Sequence, residues 1–219
     1  GVLPLDEFMG GGYGGGAGRD LAAADASAQA SGWTVGDVGV AGATVELYQE
    51  IGGAFIRIIE ATTDAAGGYT FSNLAPDTYR VRVVNATVAS NRASNATGET
   101  PFAVQTFRND PDSGGSVTGE VGGADPSVQD SGAQANGVNI AMITAQSVTE
   151  VALAGADITA VNFGFNFDTI VNTNDVGQGS LRQFILNANE LGNTDLAQAG
   201  LIAGVDNSVF MIPAAGAGA

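Results

Sequence analysis

The chain has 219 residues, of which 44% are hydrophobic and 14% charged, with 23 acidic against 7 basic residues and a net charge of −16. It contains no lysine, histidine or cysteine, so that all seven basic residues are arginine. This composition excludes thiol and Schiff-base enzymes, Ser-His-Asp hydrolases and histidine zinc sites, and the charge opposes binding to nucleic acid or to an anionic membrane surface.

The remaining composition favours a structural or binding protein, and we expect no enzymatic activity. The length suits one large domain or two small ones with a real hydrophobic core. A chain without cysteine or lysine that is rich in Gly, Thr and Asn is typical of a bacterial cell-surface or extracellular protein. No apolar run is long enough to cross a bilayer, so we expect no membrane insertion. A glycoside hydrolase that uses two carboxylates stays an open alternative, although no spacing in the sequence identifies such a pair.

Residues 1–32 are predicted to form an extension with a glycine-rich tether. An apolar stretch precedes the glycine-rich run of residues 10–16, and such a run gives the backbone freedom to leave its own domain. The apolar side chains of the stretch are the candidate assembly residues, namely Val2, Leu3, Leu5, Phe8 and Met9. They would pair as a donated strand with the open sheet edge of a neighbouring copy. The alternative is that they form the first strand of their own sandwich.

Short alternating strands with turns between them are predicted from Trp33 onward. Strands are expected around residues 44–48, 55–63, 69–71 and 79–83, and the two arginines of the last strand, Arg80 and Arg82, are expected to face water. The Thr-Asp-x-x-Gly segment at Asp64 predicts a turn that the aspartate side chain caps. This pattern favours an antiparallel β-sandwich.

The polar residues 86–137 predict long loops with one or two short strands, such as Phe102 to Phe107. Further strands are expected over residues 140–149, 150–153 and 158–167. Alternation in the last of these places Phe163, Phe165 and Phe167 on one buried face. We therefore delimit a sandwich over residues 33–167 with a long insertion at 86–137.

Residues 168–219 are predicted to form a strand, a helix and a strand. Ser180 and Gln183 have the spacing of a helix capping box, so that a helix is expected over residues 180–191. Leu181, Phe184, Ile185 and Ala188 would form one apolar face at helical spacing. Strands are expected over residues 169–173 and 209–212.

Two stretches of the predicted sandwich resemble the B-type repeat domains of bacterial surface adhesins, the Ser-Asp-repeat and collagen-adhesin B domains. Residues 39–48 read GVAGATVELY, and residues 63–81 read TDAAGGYTFSNLAPDTYRV. Asp77 replaces the usual turn glycine of that pattern. The resemblance implies a prealbumin-like, immunoglobulin-like sandwich and a location on the bacterial surface. Because the chain has no lysine, it lacks the Lys–Asn isopeptide crosslink that many collagen-adhesin B domains carry.

A second segment, residues 171–183, reads VNTNDVGQGSLRQ and resembles the opening of right-handed β-helix domains in large bacterial surface proteins. There a strand and a capping helix begin a solenoid. The resemblance implies either a piece of such a protein or a subunit that uses only the cap.

A cation site is one of two interpretations of residues 108–115, which read RNDPDSGG. Asp110 and Asp112 are two apart in a glycine-containing loop, and oxygen ligands of this kind suit Ca²⁺. The other interpretation is an ordinary surface turn. Ser-Asp-repeat B domains bind calcium through a chain of spaced Asp and Asn near the first strand, and residues 6–11 lack that chain.

These features together predict an extracellular structural protein whose partners are copies of itself, a subunit of a bacterial surface filament, sheath or adhesin stalk. One alternative is a ligand-binding adhesin domain. The other is the N-terminal fragment of a β-helix enzyme that acts on polysaccharides.

Overall fold

The fold is given by a computed structural model that describes residues 2–5, 8–11, 38–90, 92–110, 115–116, 121–158, 161–193 and 204–212. The described strands, in chain order, are β1 (Val2–Leu5), β2 (Phe8–Gly11), β3 (Val38–Gly39), β4 (Thr44–Ile51), β5 (Ala54–Thr62), β6 (Tyr69–Ser72), β7 (Asp77–Val83), β8 (Val104–Asp110), β9 (Gly115–Ser116), β10 (Ser147–Leu153), β11 (Phe163–Asn166), β12 (Thr169–Ile170) and β13 (Val209–Phe210). The helices are α1 (Leu181–Glu190) and two 3₁₀ turns, Asn85–Thr87 and Ile140–Met142.

Two sheets form the sandwich. One is antiparallel with the strand order β10-β7-β4-β5, and the other has the order β3-β2-β11-β8-β9, in which β2 and β11 run parallel. Strand β1 pairs with β6, and β12 pairs in parallel with β13. The prediction of a mainly antiparallel sandwich with long loops is confirmed, and α1 is the single α-helix within the described residues.

The hydrophobic core lies between the two large sheets, because alternate residues of each strand point to the same side. From the first sheet, Leu47 and Val81 are fully buried. From the second, Phe163 and Phe165 are fully buried, and Phe167 beyond the strand is 1% exposed, which confirms the predicted aromatic face. Leu191, directly after α1, belongs to the same core, so the C-terminal segment packs on the sandwich.

A long crossover segment, residues 121–146, covers the outer face of the first sheet. It hydrogen-bonds along β5, where Arg57 N donates to Val138 O at 2.9 Å and Gly137 N to Arg57 O at 2.8 Å. The covered face is charged, since Glu46 of β4 and Arg82 of β7 are both fully buried. The prediction that Arg82 faces water is therefore wrong, because strand alternation alone does not show that a later segment crosses that face.

Arg82 holds the crossover segment in place through its guanidinium. Nη1 lies 2.7 Å from Glu46 Oε2, Nη2 lies 2.9 Å from Asp130 Oδ2, and the carbonyl oxygens of Ser131 and Gly132 accept further hydrogen bonds. Burial lowers the pKa of Arg82, but Asp130 and Glu46 outweigh it and hold the pKa above its ordinary value. The Tyr48 hydroxyl donates to Glu46 Oε2 at 2.7 Å. Arg57 Nε lies 3.5 Å from Glu46 Oε1, so that a second buried arginine belongs to the same charge cluster.

Several predicted bounds differ from the structure. The expected strand at residues 140–149 begins with a 3₁₀ turn, and β10 runs unbroken through the expected boundary at Glu150. Strand β8 starts at Val104 and continues to Asp110, beyond the predicted end at Phe107. The turn at Asp64 is confirmed, because Asp64 Oδ1 accepts hydrogen bonds from Ala66 N and Gly68 N. Trp33 and most of the predicted extension lie outside the described residues.

We predict that Arg82→Met lowers the free energy of unfolding by about 3–5 kcal/mol, because it leaves Asp130 buried without a cation and Glu46 with Arg57 as its remaining cation. The matched control is Arg80→Met in the same strand, since Arg80 is a partly exposed arginine that pairs with Glu150 at 3.0 Å and stacks on Phe55. We expect that control to cost about 1 kcal/mol. Urea unfolding of both variants measures the difference, and equal losses would contradict the structural role of Arg82.

Candidate functional site

The candidate assembly residues lie in two strands that pair within the chain. Val2, Leu3 and Leu5 are in β1, where Leu3 is opposite Phe71 of β6. Phe8 and Met9 are in β2, which runs between β11 and β3. Both strands therefore pair within the chain's own sandwich, as the alternative interpretation expected. Donation of the segment to a neighbouring copy stays a prediction.

The candidate cation ligands are not gathered into one described site. Asp110 is the last residue of β8, opposite Gly115, and Asp112 lies outside the described residues. Among the described residues, no group of three or more acidic side chains is placed to hold a metal ion. Asp125 caps its own turn by accepting hydrogen bonds from Ser127.

Helix α1 begins as predicted but uses its capping residues differently. The Ser180 hydroxyl accepts a hydrogen bond from Gln183 N at 3.1 Å, which confirms the N-cap. The Gln183 side chain does not return to Ser180 as a capping box requires. Instead its Nε2 donates to Thr100 O at 3.0 Å, so the residue joins the helix to a distant loop.

The buried face of α1 is polar. Gln183, Asn187 and Glu190 follow one another at spacings of four and three residues and are each less than a tenth exposed. Asn187 Nδ2 donates to Phe167 O at 2.7 Å and to Phe102 O at 3.1 Å, while its Oδ1 accepts from Phe102 N at 2.9 Å. The helix is thereby docked through hydrogen bonds to main-chain groups that would otherwise be buried without partners.

Glu190 is the last of the three polar residues on the buried face of α1, and its carboxylate binds the loop of residues 94–98. Its Oε2 accepts from Thr97 N at 2.8 Å, Thr97 Oγ1 at 2.5 Å and Gly98 N at 3.1 Å, and its Oε1 accepts from the Ser94 hydroxyl. The hydrogen bonds from Ser94 and Thr97 lower the pKa of Glu190 to about 2. The ionised carboxylate therefore orders a loop that has little apolar contact of its own.

Part of the predicted apolar face of α1 points outward, while Phe184 and Ala188 are half-buried. Leu181 is 46% exposed and Ile185 is 49% exposed. On the adjacent strand and just after it, Phe210 is 59% and Ile212 is 42% exposed. These four residues form what we call the α1–β13 face. They line a groove of about 520 Å³ whose other walls come from Ile170, residues 172–175 and Arg182.

Arg92 ties both ends of the C-terminal segment to the sandwich. Its side chain is 3% exposed and lies 3.2 Å from Asp168 Oδ1 and 2.5 Å from Asp206 Oδ1. It also donates to the carbonyl oxygens of Leu191 and Gly192, at 3.1 and 2.9 Å. This one buried guanidinium therefore connects three places in the segment: Asp168 just before β12, the residues that follow α1, and Asp206 before β13.

The sequence carried a signal for this orientation. Gln183, Asn187 and Glu190 recur at helical spacing as regularly as the apolar residues do, so α1 has two periodic faces. An apolar face normally turns inward because burial removes it from water. Here main-chain groups of residues 97–102 and 167 need hydrogen-bond partners, and only the polar face of the helix supplies them.

We predict that Glu190 makes stability depend on pH in the acid range. Since its pKa is depressed from 4.5 to about 2, its contribution is fully present above pH 4.5 and is lost as the pH falls toward 2. We expect Glu190→Gln to lower the free energy of unfolding at neutral pH and to approach the parent value near pH 2. Denaturant unfolding across this range, with Glu50→Gln as a control for net charge, measures the effect. A difference that does not change with pH would contradict it.

The family model of the SdrD B-like domain matches residues 29–110, a little over a third of the chain. The match includes β4 to β8, while β10 and β11 complete the same two sheets beyond it. No solved structure matches the chain. Among the described residues, no helix combines the length and apolar character needed to cross a bilayer.

SdrD B-like domains are non-enzymatic domains of bacterial cell-surface proteins. The match agrees with the two sequence stretches, at residues 39–48 and 63–81, that resemble B-type adhesin domains, and with the sandwich that they form. The likeness of residues 171–183 to a β-helix opening stays a prediction. Residues 29–110 are therefore similar to the B-type domains found in surface adhesins, and this similarity supports a location on the bacterial cell surface in general.

Proposed function

We propose that the chain is a structural module of a bacterial surface assembly, a filament, sheath or adhesin stalk, in which copies of the chain associate with one another. The observation that carries this proposal is the α1–β13 face on a B-type domain. The helix buries a polar side and leaves Leu181 and Ile185 in contact with water, which is unfavourable for apolar side chains. Association covers that surface.

The joining of the sandwich to the C-terminal segment supports a structural role. Leu191 packs in the sandwich core, and Arg92 pairs with carboxylates on both sides of α1. Because these contacts are buried, they hold the helix at a set position on the sandwich. A module of this kind presents its association surface in one orientation, as a regular assembly requires.

A ligand-binding adhesin domain is the second candidate, and the groove beside α1 favours it. At about 520 Å³ the groove is within the size range of small-molecule sites, and it has polar groups from Asn172, Asn174 and Asp175 beside its apolar walls. Sedimentation of the purified chain over a concentration series separates the candidates. Assembly predicts a rising mass, while a ligand-binding module stays monomeric and shows saturable binding to a glycan or host-protein array.

For the mode of association we propose strand exchange through the N-terminal segment. Strand β1 pairs with β6 inside the chain, and the same segment of a neighbouring copy can supply an identical strand. A glycine-rich run follows the segment in the sequence, which allows it to reach outward. The exchange would replace one set of main-chain hydrogen bonds by an equal set between copies.

We predict that deletion of residues 1–10 leaves the chain folded but monomeric. The deletion removes β1 and residues 8–10 of β2, while the core strands β4, β7, β10 and β11 stay in the chain. Circular dichroism reports folding and light scattering reports mass. A truncated chain that unfolds, or that still assembles, would rule out strand exchange.

We further propose that divalent cations bridge or stabilise the assembly, with Asp110 and Asp112 as candidate ligands. The net charge of −16 repels like subunits at low ionic strength. We predict that a chelator then lowers the melting temperature or loosens the polymer, and that Ca²⁺ restores it. An unchanged melting temperature and unchanged mass after chelation at low salt would exclude both a bound ion and cation bridging.

A further inference from the structure

The α1–β13 face differs from the rest of the molecule in its charge. The chain carries a net charge of −16, yet the residues of the face itself are Leu181, Ile185, Phe210 and Ile212. Among the described residues, the charged side chains that line its groove are Arg182 and Asp175, which pair with each other at 2.9 Å. The groove is therefore electrically neutral, and another strongly acidic molecule can approach here with little repulsion.

The charged pair at the edge of the groove is self-complementary. Arg182 is 57% exposed and Asp175 is 84% exposed, so both ions can be reached from outside. A two-fold axis through the face would place Arg182 of one copy beside Asp175 of the other, and the reverse. The apolar centre would then be closed between two reciprocal ion pairs, with no charge left unpaired.

The strand at the edge of the face adds a second argument. Strands β12 and β13 have two residues each and form a two-stranded sheet, and no other strand of the described residues pairs with β13. Two-stranded sheets of this kind have little stability of their own. A second β13 added in antiparallel orientation across the same axis would extend the sheet through main-chain hydrogen bonds.

We infer that the α1–β13 face binds the same face of a second copy of this chain about a two-fold axis. The inference rests on the proposed self-association and names the surface that carries it. Each copy contributes its apolar residues to the centre and one Arg182 and one Asp175 to the edge. With four large apolar residues per copy the interface belongs to the small, concentration-dependent class.

A charge-exchange experiment tests the two-fold geometry on the full-length chain. In Arg182→Asp two carboxylates meet across the axis, and in Asp175→Arg two guanidinium groups do. We expect each variant alone to dimerise at least roughly tenfold more weakly than the parent, because like charges face one another. An equimolar mixture restores opposite charges at both positions, so the mixture should dimerise within roughly threefold of the parent. Sedimentation velocity over a concentration series measures all four samples.

The apolar centre has a separate test with a matched control. Ile185→Ser removes a half-exposed isoleucine from the face and should weaken dimerisation roughly tenfold. The control is Ile51→Ser, since Ile51 in β4 is 50% exposed and lies outside the face. We expect the control to dimerise like the parent.

The outcomes separate this inference from the proposed function. If the chain associates but Ile185→Ser and the charge variants do not change the mass of the complex, the α1–β13 face is not the interface, and self-association uses another surface. If the chain stays monomeric at every concentration, both are wrong. If Ile185→Ser lowers the free energy of unfolding of the monomer by more than Ile51→Ser and leaves association unchanged, the chain's own residues cover the face, and the inference is overturned.

Discussion

A guanidinium that is buried away from water needs carboxylate or carbonyl partners. The outer face of the first sheet is organised around this requirement at Arg82. Arg82 lies near the end of β7 and is fully buried between Glu46 on the neighbouring strand and Asp130 on the crossover segment. Asp130 in turn accepts hydrogen bonds from the main-chain amides of Asn85 and Gln146. Since unpairing a buried charge is strongly unfavourable, the crossover segment cannot separate from the sheet on its own, and it is part of the packed structure.

The same solution recurs at the C-terminal segment, where Arg92 binds Asp168 and Asp206. In a chain with 7 basic residues against 23 acidic ones, the use of two arginines for buried clusters is notable. Both join segments that are far apart in sequence, and both are surrounded by carboxylates and carbonyl oxygens. Arginine suits this role because its planar group offers five donors in fixed directions and stays charged when buried. The ion pairs of Arg92 hold the sandwich and the segment around α1 together as one packed unit.

The orientation of α1 connects this packing to function. The helix satisfies main-chain groups with Gln183, Asn187 and Glu190, so its apolar residues are left for another surface to cover. An apolar face with no net charge, on a strongly acidic molecule, is the surface from which we propose association. The two proposed contacts, strand exchange at the N-terminus and the two-fold contact at α1, lie on different elements. Together they would give each copy two neighbours, which is what a filament or sheath needs.

The sequence by itself determined the class of the fold and much of its core. Alternation identified the strands and the aromatic face of β11, the turn at Asp64 followed from its residue types, and the match at residues 29–110 agrees with the stretches that suggested a B-type domain. Only the tertiary structure decided that Arg82 is buried and that α1 turns its polar side inward. Periodicity shows that a strand or helix has two faces. Which face is buried depends on the segments that pack against it and on the main-chain groups they leave to be satisfied, and these come from distant parts of the chain.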